Sequence, residues 1–481
     1  MRIRPASSSS YPLRRGNFVR PLIDGIPAFR TILSAVESAR HSVWITVAFL
    51  DHDLVFPDAH GSFFDVIERA AARGVDVRVL FWSEPEIEEL LTGSSHFPAG
   101  RPSFELLERL APHVVARWDR LRGYCHHQKS WLVDAGTDHE VAFVGGINLD
   151  RDSIVSPGHP PTIRDGQEQG AGSIHDVYVE LRGPSATDVH HNFVQRWNEA
   201  SERADEFGAF PSASRADALA FPATVSPQAG SSSVQVARTI RAGAYRCETA
   251  SPGASAFAIA GGESSIAEQY LVAIDAAERT IYIENQIVLC PYLFSALDQA
   301  LARGVEVIAV VPATAMPEIA RVRRHPKVAP VFAMLDGLAR YDNFLMAALA
   351  ANRTGGVHAD VYVHSKVAVI DDEWATIGSA NAMFRSFYDD TEMNVTVWDR
   401  AVATDLRADL FAEHLGLLDA GGNERVTATS RGYRPPELGD DRRAFAMMRE
   451  CALANRERRR DGVAMKGQVF AIDPWGWAVA E

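Results

Sequence analysis

The sequence predicts an α/β protein made of two fused α-β-α sandwich halves. A pseudo-twofold axis relates them, each half surrounds a mixed central sheet, and the active site is expected at their interface. Three observations predict this. Helix-period and strand-period segments alternate along most of the chain. Their order in the first part recurs in the second. A short polar pattern, His-x-Lys-x-x-x-x-Asp, falls once in each part at a matching place.

Taken in order, residues 1–16 are basic and serine-rich and carry no acid. No apolar stretch or small-residue cleavage site follows Arg14-Arg15, so a disordered leader is expected rather than a signal. The first half is expected over 17–200. Phe29, Ile32, Leu33 and Val36 mark one face of a helix with Pro27 in its first turn. Ser42 to Phe49 (SVWITVAF) has the β-branched and aromatic content of a strand. Ser62 to Arg73 reads as a helix stopped by Gly74, and the strand Val75 to Trp82 follows. An irregular Pro/Gly-rich loop over 150–173 occurs in this half only. Residues 201–233, rich in Ala, Ser and Pro, read as a connecting segment. The second half, over 234–416, repeats the order. Its elements are a helix from Ser265, the strand TIYIEN to Asn285, a helix ended by Gly304 and the strand VEVIAVV. Even the wording recurs, as ARGVDVRV and then ARGVEVIA. Residues 417–481 are expected as a tail, with Arg456, Arg458, Arg459 and Arg460 forming a solvated helix end.

Composition limits the partners. The chain has 481 residues, is 47% hydrophobic and 23% charged, and carries a formal charge of −14. No apolar run reaches the roughly 18 residues that a membrane-spanning helix needs. The acidic balance argues against a nucleic-acid partner. Four cysteines, Cys125, Cys247, Cys290 and Cys451, lack metal-motif spacing and suit a reducing compartment, so a cytoplasmic monomer is expected, peripheral at the membrane surface.

The chemistry concentrates in the paired pattern. It reads His127-Gln-Lys129-Ser-Trp-Leu-Val-Asp134, then His364-Ser-Lys366-Val-Ala-Val-Ile-Asp371. Residues two apart on a strand share a face, so each His emerges beside its Lys. Each pattern leads through an apolar strand to a turn of small residues and an asparagine, Asn148 and Asn381. The chain contains only four lysines, and two occupy these matching places. Two lysines and two asparagines can hold the non-bridging oxygens of one phosphate. One neutral imidazole can attack phosphorus while the other protonates the departing oxygen. Such a site needs no metal and no cofactor. Each histidine also wants an acid on its far nitrogen, and Asp176 and Glu392 open the strands after the two asparagine turns.

On these motifs the sequence resembles the phospholipase D superfamily, whose hallmark is the duplicated HxKxxxxD pattern. CHHQKSWLVD with AFVGGINL, HDVYVELRGPSATDVHHNFVQRWN, IYIENQ, VHSKVAVIDD with IGSANAMFRS, and FAEHLG are similar to the eukaryotic-type catalytic core. The resemblance implies that His127 is the nucleophile and His364 the acid, later the base. It implies that Lys129, Lys366, Asn148, Asn381 and Ser379 hold phosphoryl oxygens, with Gly146 standing where the first half would carry the matching serine. It further implies that Asp176 orients His127 and Glu392 orients His364, while Asp134 and Asp371 support structure. The implied activity is hydrolysis of glycerophospholipids at a membrane surface to phosphatidic acid and a headgroup alcohol, through a phosphohistidine. Water is the acceptor, and transphosphatidylation to an alcohol is the second outlet.

Three other functions fit less well. Phosphatidyl transfer of the cardiolipin-synthase kind uses the same residues with a lipid alcohol as acceptor. A non-catalytic lipid-binding scaffold is disfavoured because both copies keep every reactive group. Zinc at Cys125, His126 and His127 is disfavoured because neighbouring strand residues point to opposite faces. The basic run Arg321, Arg323, Arg324 and Lys327 is expected to meet anionic headgroups.

Overall fold

The computed structural model describes residues 2–51, 54–82, 113–119, 125–160, 163–164, 167–168, 173–202, 217–353, 357–418 and 435–479. The first half runs β1 (Arg14–Ile23), α1 (Gly25–Ser38), β2 (Ser42–Val47), α2 (Phe63–Ala72) and β3 (Asp76–Trp82). It continues through β4 (Val114–Asp119), β5 (Ser130–Val133), β6 (Val141–Gly145), β7 (Val177–Arg182) and α3 (Ala186–Glu202). Its strands lie in the order β4-β3-β2-β5-β6-β7-β1, parallel as far as β2 and antiparallel beyond it.

The second half begins with β8 (Ser232–Ile240), α4 (Ser265–Asp275), β9 (Thr280–Asn285), α5 (Pro291–Ala302) and β10 (Glu306–Val310). Next come α6 (Pro317–Arg323), α7 (Ala329–Leu338), β11 (Phe344–Asn352), β12 (His358–Val363), β13 (Lys366–Ile370) and β14 (Trp374–Gly378). It closes with β15 (Glu392–Trp398), α8 (Arg400–His414), α9 (Asp441–Arg460) and β16 (Val469–Ala471). The order β11-β10-β9-β13-β14-β15-β8 repeats that of the first half strand for strand, with the same change from parallel to antiparallel. β1 and β8 pair at Arg14↔Val234 and Asn17↔Ser232, which joins the two sheets at their edges.

Local chemistry sets these elements. Ser62 caps α2 through a reciprocal pair with Asp65, and Pro291 opens α5. Gly74 and Gly304 follow α2 and α5 at φ 82° and 89°. A Cβ on either would meet nothing within 4 Å, so backbone conformation rather than crowding calls for glycine there. Phe29, Ile32, Leu33 and Val36 of α1 are buried with Phe63, Val66 and Ile67 of α2 on the outer side of the first sheet. α4, α5 and α7 cover the second sheet in the same way. The largest apolar cluster draws on both sheets and on α3, α8 and α9, so the halves share a core.

Both ends differ from expectation. Residues 2–16 are packed against the second half and α3 instead of forming a disordered leader. Ile3 and Tyr11 are buried, the Ala6 amide donates to Gln235 and Gln269, and Ser7 and Ser8 bond to Glu268. Arg14 makes a two-pronged ion pair with Asp188. The acids that balance this basic, hydroxyl-rich stretch lie far along the chain, where local composition does not reveal them. Beyond residue 417 the chain is also more than a tail. α9 buries Ala444, Phe445, Met448 and Ala452, and β16 pairs antiparallel with β11. At its end Arg456 and Arg460 are exposed as expected, whereas Arg459 is half-buried over Phe470 and bonded to Asp360. Residues 419–434, 203–216 and part of the 150–173 loop lie outside the described residues.

Candidate active site

His127 and Lys129 lead into β5, and His364 and Lys366 lead into β13, with the side chains of each pair on one face as the alternation requires. All four are buried. Backbone pairing then crosses between the halves. Ile174 and His175 pair in parallel with Tyr362 and Val363, the residues just before His364. The His364 amide donates to the His175 carbonyl at 2.8 Å. In the mirror arrangement the His127 amide donates to the Thr391 carbonyl at 2.9 Å, and the Thr391 amide to Cys125 at 2.9 Å.

This crossing decides which acid serves which histidine, and it corrects the expected pairing. Asp176 lies against His364, with Oδ2 2.6 Å from Nδ1, and does not reach His127. Glu392 lies against His127, both carboxylate oxygens standing 3.1 Å from Nδ1. Each half therefore supplies the acid for the other half's imidazole. The cause is the strand pairing just described: the residue before each acid is hydrogen-bonded to the strand that enters the opposite histidine.

The two couples are not alike. Glu392 also accepts a 2.5 Å hydrogen bond from the Ser379 hydroxyl. Ser379, expected on the phosphate, is thus turned onto the carboxylate, and its oxygen accepts from the Met393 amide. In the first half a Cβ at Gly146 would lie 2.3 Å from Asp176 Oδ1. No side chain fits there, so Asp176 receives no hydroxyl and instead accepts from the Val177 amide at 2.7 Å.

Burial dominates the electrostatics. It lowers Lys129 to about 8, against the opposing pull of Glu392, and Lys366 to about 7, against Asp176. Burial also pulls His127 below its ordinary value, with Glu392 opposing, and pulls His364 well below, aided by Lys366 and Lys129. The mutual influence of Lys129, Lys366, His127 and His364 reflects one shared centre. Burial raises Asp176 to about 7.

Lys129 Nζ donates to the His127 carbonyl at 2.9 Å, and Lys366 Nζ to Gln286 at 3.2 Å and to the His364 carbonyl. The side-chain Oδ1 atoms of Asn148 and Asn381 are buried with no partner among the described residues, at equivalent places in the repeat. Asp134 and Asp371 stand apart from this centre. Both adopt left-handed conformations, φ 53° and 54°. Their carboxylates accept from backbone amides at the entries to β2 and β9: His41 at 2.7 Å for Asp134, Thr280 at 2.8 Å for Asp371. Asp371 also binds Arg2.

Some neighbours carried no role in the sequence. Phe49 packs edge-on to His127 and beneath Lys129, at ring distances of 5.9 and 5.5 Å. Gln286 ties Lys366 to the Tyr362 hydroxyl, and Tyr362 stacks beside His364. Both Phe49 and Gln286 sit at the ends of predicted strands, the signal that could have found them. Cys125, His126 and His127 diverge as alternation requires, His126 turning to Asp119 at 3.2 Å. In the basic run, Arg323 is held by both oxygens of Asp336 and lies over Phe332, so its charge is locally balanced.

The family model described as "Phospholipase D" matches residues 35–296, and that described as "Cardiolipin synthase, PLD-like domain" matches 270–414. A cardiolipin synthase of Listeria innocua serovar 6a is 22% identical over 416 residues, covering 84% of this chain and 70% of its own. Phospholipase D A of Dictyostelium discoideum is 24% identical across 85% of this chain and 36% of its own. A phosphatidylserine synthase from Haemophilus influenzae Rd KW20 shares the fold, with a TM-score of 0.50 at 12% identity, over 93% of this chain and 95% of its own.

Proposed function

The chain belongs to the phospholipase D superfamily, and from that premise we propose that it hydrolyses glycerophospholipids to phosphatidic acid and a headgroup alcohol through a phosphohistidine on His127. Transfer to alcohols is the second outlet of the same intermediate. The observation that carries this reading is the pair of crossed imidazole–carboxylate couples, set with two buried lysines in one centre.

Glu392, already bonded by Ser379, takes the Nδ1–H of His127, which leaves the Nε2 lone pair of a neutral ring as nucleophile. His364 serves as acid through Nε2–H: burial and the two lysines work against its protonated form, and the Asp176 carboxylate 2.6 Å from Nδ1 offsets that cost. Nε2 of His127 attacks phosphorus, the bond from phosphorus to the headgroup oxygen breaks, and His364 gives that oxygen its proton. His364, now neutral, takes a proton from water or an alcohol, whose oxygen displaces Nε2 from phosphorus. Lys129 and Lys366 offset the charge on the phosphoryl oxygens, assisted by the amides of Asn148 and Asn381. An exposed aromatic cluster supports a lipid substrate. Tyr292, Phe384 and Tyr388 pack at 4.9 to 6.4 Å beside the turn that carries Asn381. Tyr292 and Phe384 are 55% and 45% exposed.

Cardiolipin-synthase-type transfer is the second reading, favoured by the match over 270–414 and by the Listeria relative. No helix among the described residues is long and apolar enough to cross a membrane. The test is incubation with phosphatidylcholine vesicles with and without ethanol, and separately with phosphatidylglycerol. Phosphatidic acid, and phosphatidylethanol when ethanol is present, are expected, and both vanish in His127→Ala and His364→Ala. Cardiolipin from phosphatidylglycerol without phosphatidic acid from either lipid would select the second reading. No product from any glycerophospholipid would overturn both.

A further inference from the structure

On the far side of Asp176 the chain buries a second group of histidines and acids that the phosphodiester chemistry does not use. Adjacent residues of an extended strand face opposite ways, so where Asp176 meets His364, His175 turns away from it. Its Nδ1 lies 2.9 Å from Asp24 Oδ1, 3.4 Å from His159 Nε2 and 3.9 Å from Glu413 Oε1. His159 Nε2 lies 3.5 Å from Asp24 Oδ1 and 3.6 Å from Glu413 Oε1. All four side chains are essentially without solvent contact.

We propose that Asp24, His159, His175 and Glu413 form a binding site for one divalent transition-metal ion of the zinc class, separate from the phosphate centre. Four ligands at zinc's usual bond lengths stand about 3.4 Å from one another at the corners of a tetrahedron, and the five separations above cluster around that value. Hydrogen bonds alone do not account for the geometry. Among the described residues neither oxygen of Asp24 makes a well-directed hydrogen bond, although His175 Nδ1 lies 2.9 Å away, and His159 Nδ1 and Glu413 Oε2 are likewise without one. A backbone bond also enters the group, from the Gly158 amide to Glu413 Oε1 at 2.7 Å. A dication neutralises the two carboxylates and leaves both imidazoles uncharged, which removes the penalty of unpaired buried charge.

The surroundings match a metal ligand's. His175 directs its other nitrogen to Glu284 at 3.2 Å, and Glu284 is itself held by His414 at 2.6 Å and Tyr282 at 2.8 Å. Metal-bound imidazoles usually donate their second N–H to a carboxylate in this way. Two of the four ligands also sit in left-handed backbone conformations that non-glycine residues seldom adopt, Asp24 at φ 62° and His159 at φ 47°. Such strain persists where a function holds it. The mixed nitrogen and oxygen donors and the tetrahedral spacing favour zinc over calcium or magnesium. The ion would tie the loop carrying His159 to α8 of the second half and to the turn after β1.

The test is metal analysis of the full chain purified without a histidine tag, stripped with chelator, reloaded with Zn2+ or Co2+ and desalted. About one equivalent per chain is expected in the wild type and in His127→Ala, falling at least tenfold in His159→Ala. The Co2+ form should show the intense visible absorption of a tetrahedral site, absent from His159→Ala. If that variant does not fold, X-ray absorption at the zinc edge of the wild type decides. Two imidazole ligands and oxygen neighbours support the site, and a thiolate-bound ion overturns it. Wild type that retains less than a tenth of an equivalent of either ion overturns it outright.

Discussion

Replacing Glu392 by glutamine keeps the shape of the side chain and removes the charge that holds the His127 Nδ1–H from 3.1 Å. A hydrogen bond to a charged partner contributes about 1.5–3 kcal/mol, so nucleophilic attack should slow by about 10- to 150-fold. If the new amide turns its NH2 toward Nδ1 it enforces the wrong tautomer, and the loss can approach the roughly 10⁴-fold of comparable substitutions elsewhere. Asp176→Asn should act at a different step, because Asp176 holds His364. A phosphatidyl ester of p-nitrophenol separates them, since its leaving group departs without a proton. Rapid mixing should show a slowed burst in Glu392→Gln. Asp176→Asn should give a burst near the wild-type rate, one equivalent in size, and then stall as phosphohistidine that acid quenching preserves. A normal burst in Glu392→Gln together with a lost burst in Asp176→Asn would refute the crossed assignment.

Further consequences can be measured. Lys366 and Lys129, lowered by burial to about 7 and about 8, lose positive charge as pH rises, so kcat/KM should fall across that range. A bound phosphodiester raises both lysines, so the alkaline limb of kcat should lie higher. His127 is depressed below its ordinary 6.5, so the acid limb should lie below that value. An alkaline limb of kcat/KM near the ordinary lysine value of about 10.4 would contradict the desolvation. Gly146→Ser should displace Asp176 from His364, lowering kcat at least about tenfold with the far-ultraviolet circular dichroism unchanged, because its Cβ would lie 2.3 Å from the carboxylate. Activity within twofold of wild type would show that this contact can be relieved. Tyr11→Ala should lower stability in urea by about 3 kcal/mol, since the ring is buried and its hydroxyl is hydrogen-bonded to His191. A change below about 0.5 kcal/mol, the range typical of surface sites, would place the amino-terminal segment outside the core.

What the sequence revealed followed from range. The repeat, the helix stops at Gly74 and Gly304 and the two His–Lys pairs are local patterns, and strand alternation carries them directly into three dimensions. Asp176 and Glu392 were visible as positions, but their partners depend on the pairing of Ile174–His175 with Tyr362–Val363, a register between halves that periodicity does not encode. The amino-terminal segment looked disordered because its partners are remote, Glu268 lying 261 positions from Ser7 and Asp188 174 from Arg14. The histidine–carboxylate group behind Asp176 was illegible for the same reason. Its members come from the turn after β1, the irregular loop, the approach to β7 and the end of α8. Ser379 shows the opposite limit. The turn after β14 marks its position, but the direction of its hydroxyl, onto Glu392, is set by the fold and not by local sequence.

The exchange of carboxylates across the interface makes the two imidazoles interdependent. Any movement that parts the halves strips Nδ1 of both rings together, so a compound lodged in that seam would silence attack and protonation in one event. Expressed as separate polypeptides, each portion would hold a histidine with nothing to steady it, and turnover should return only when the two are mixed and reassociate.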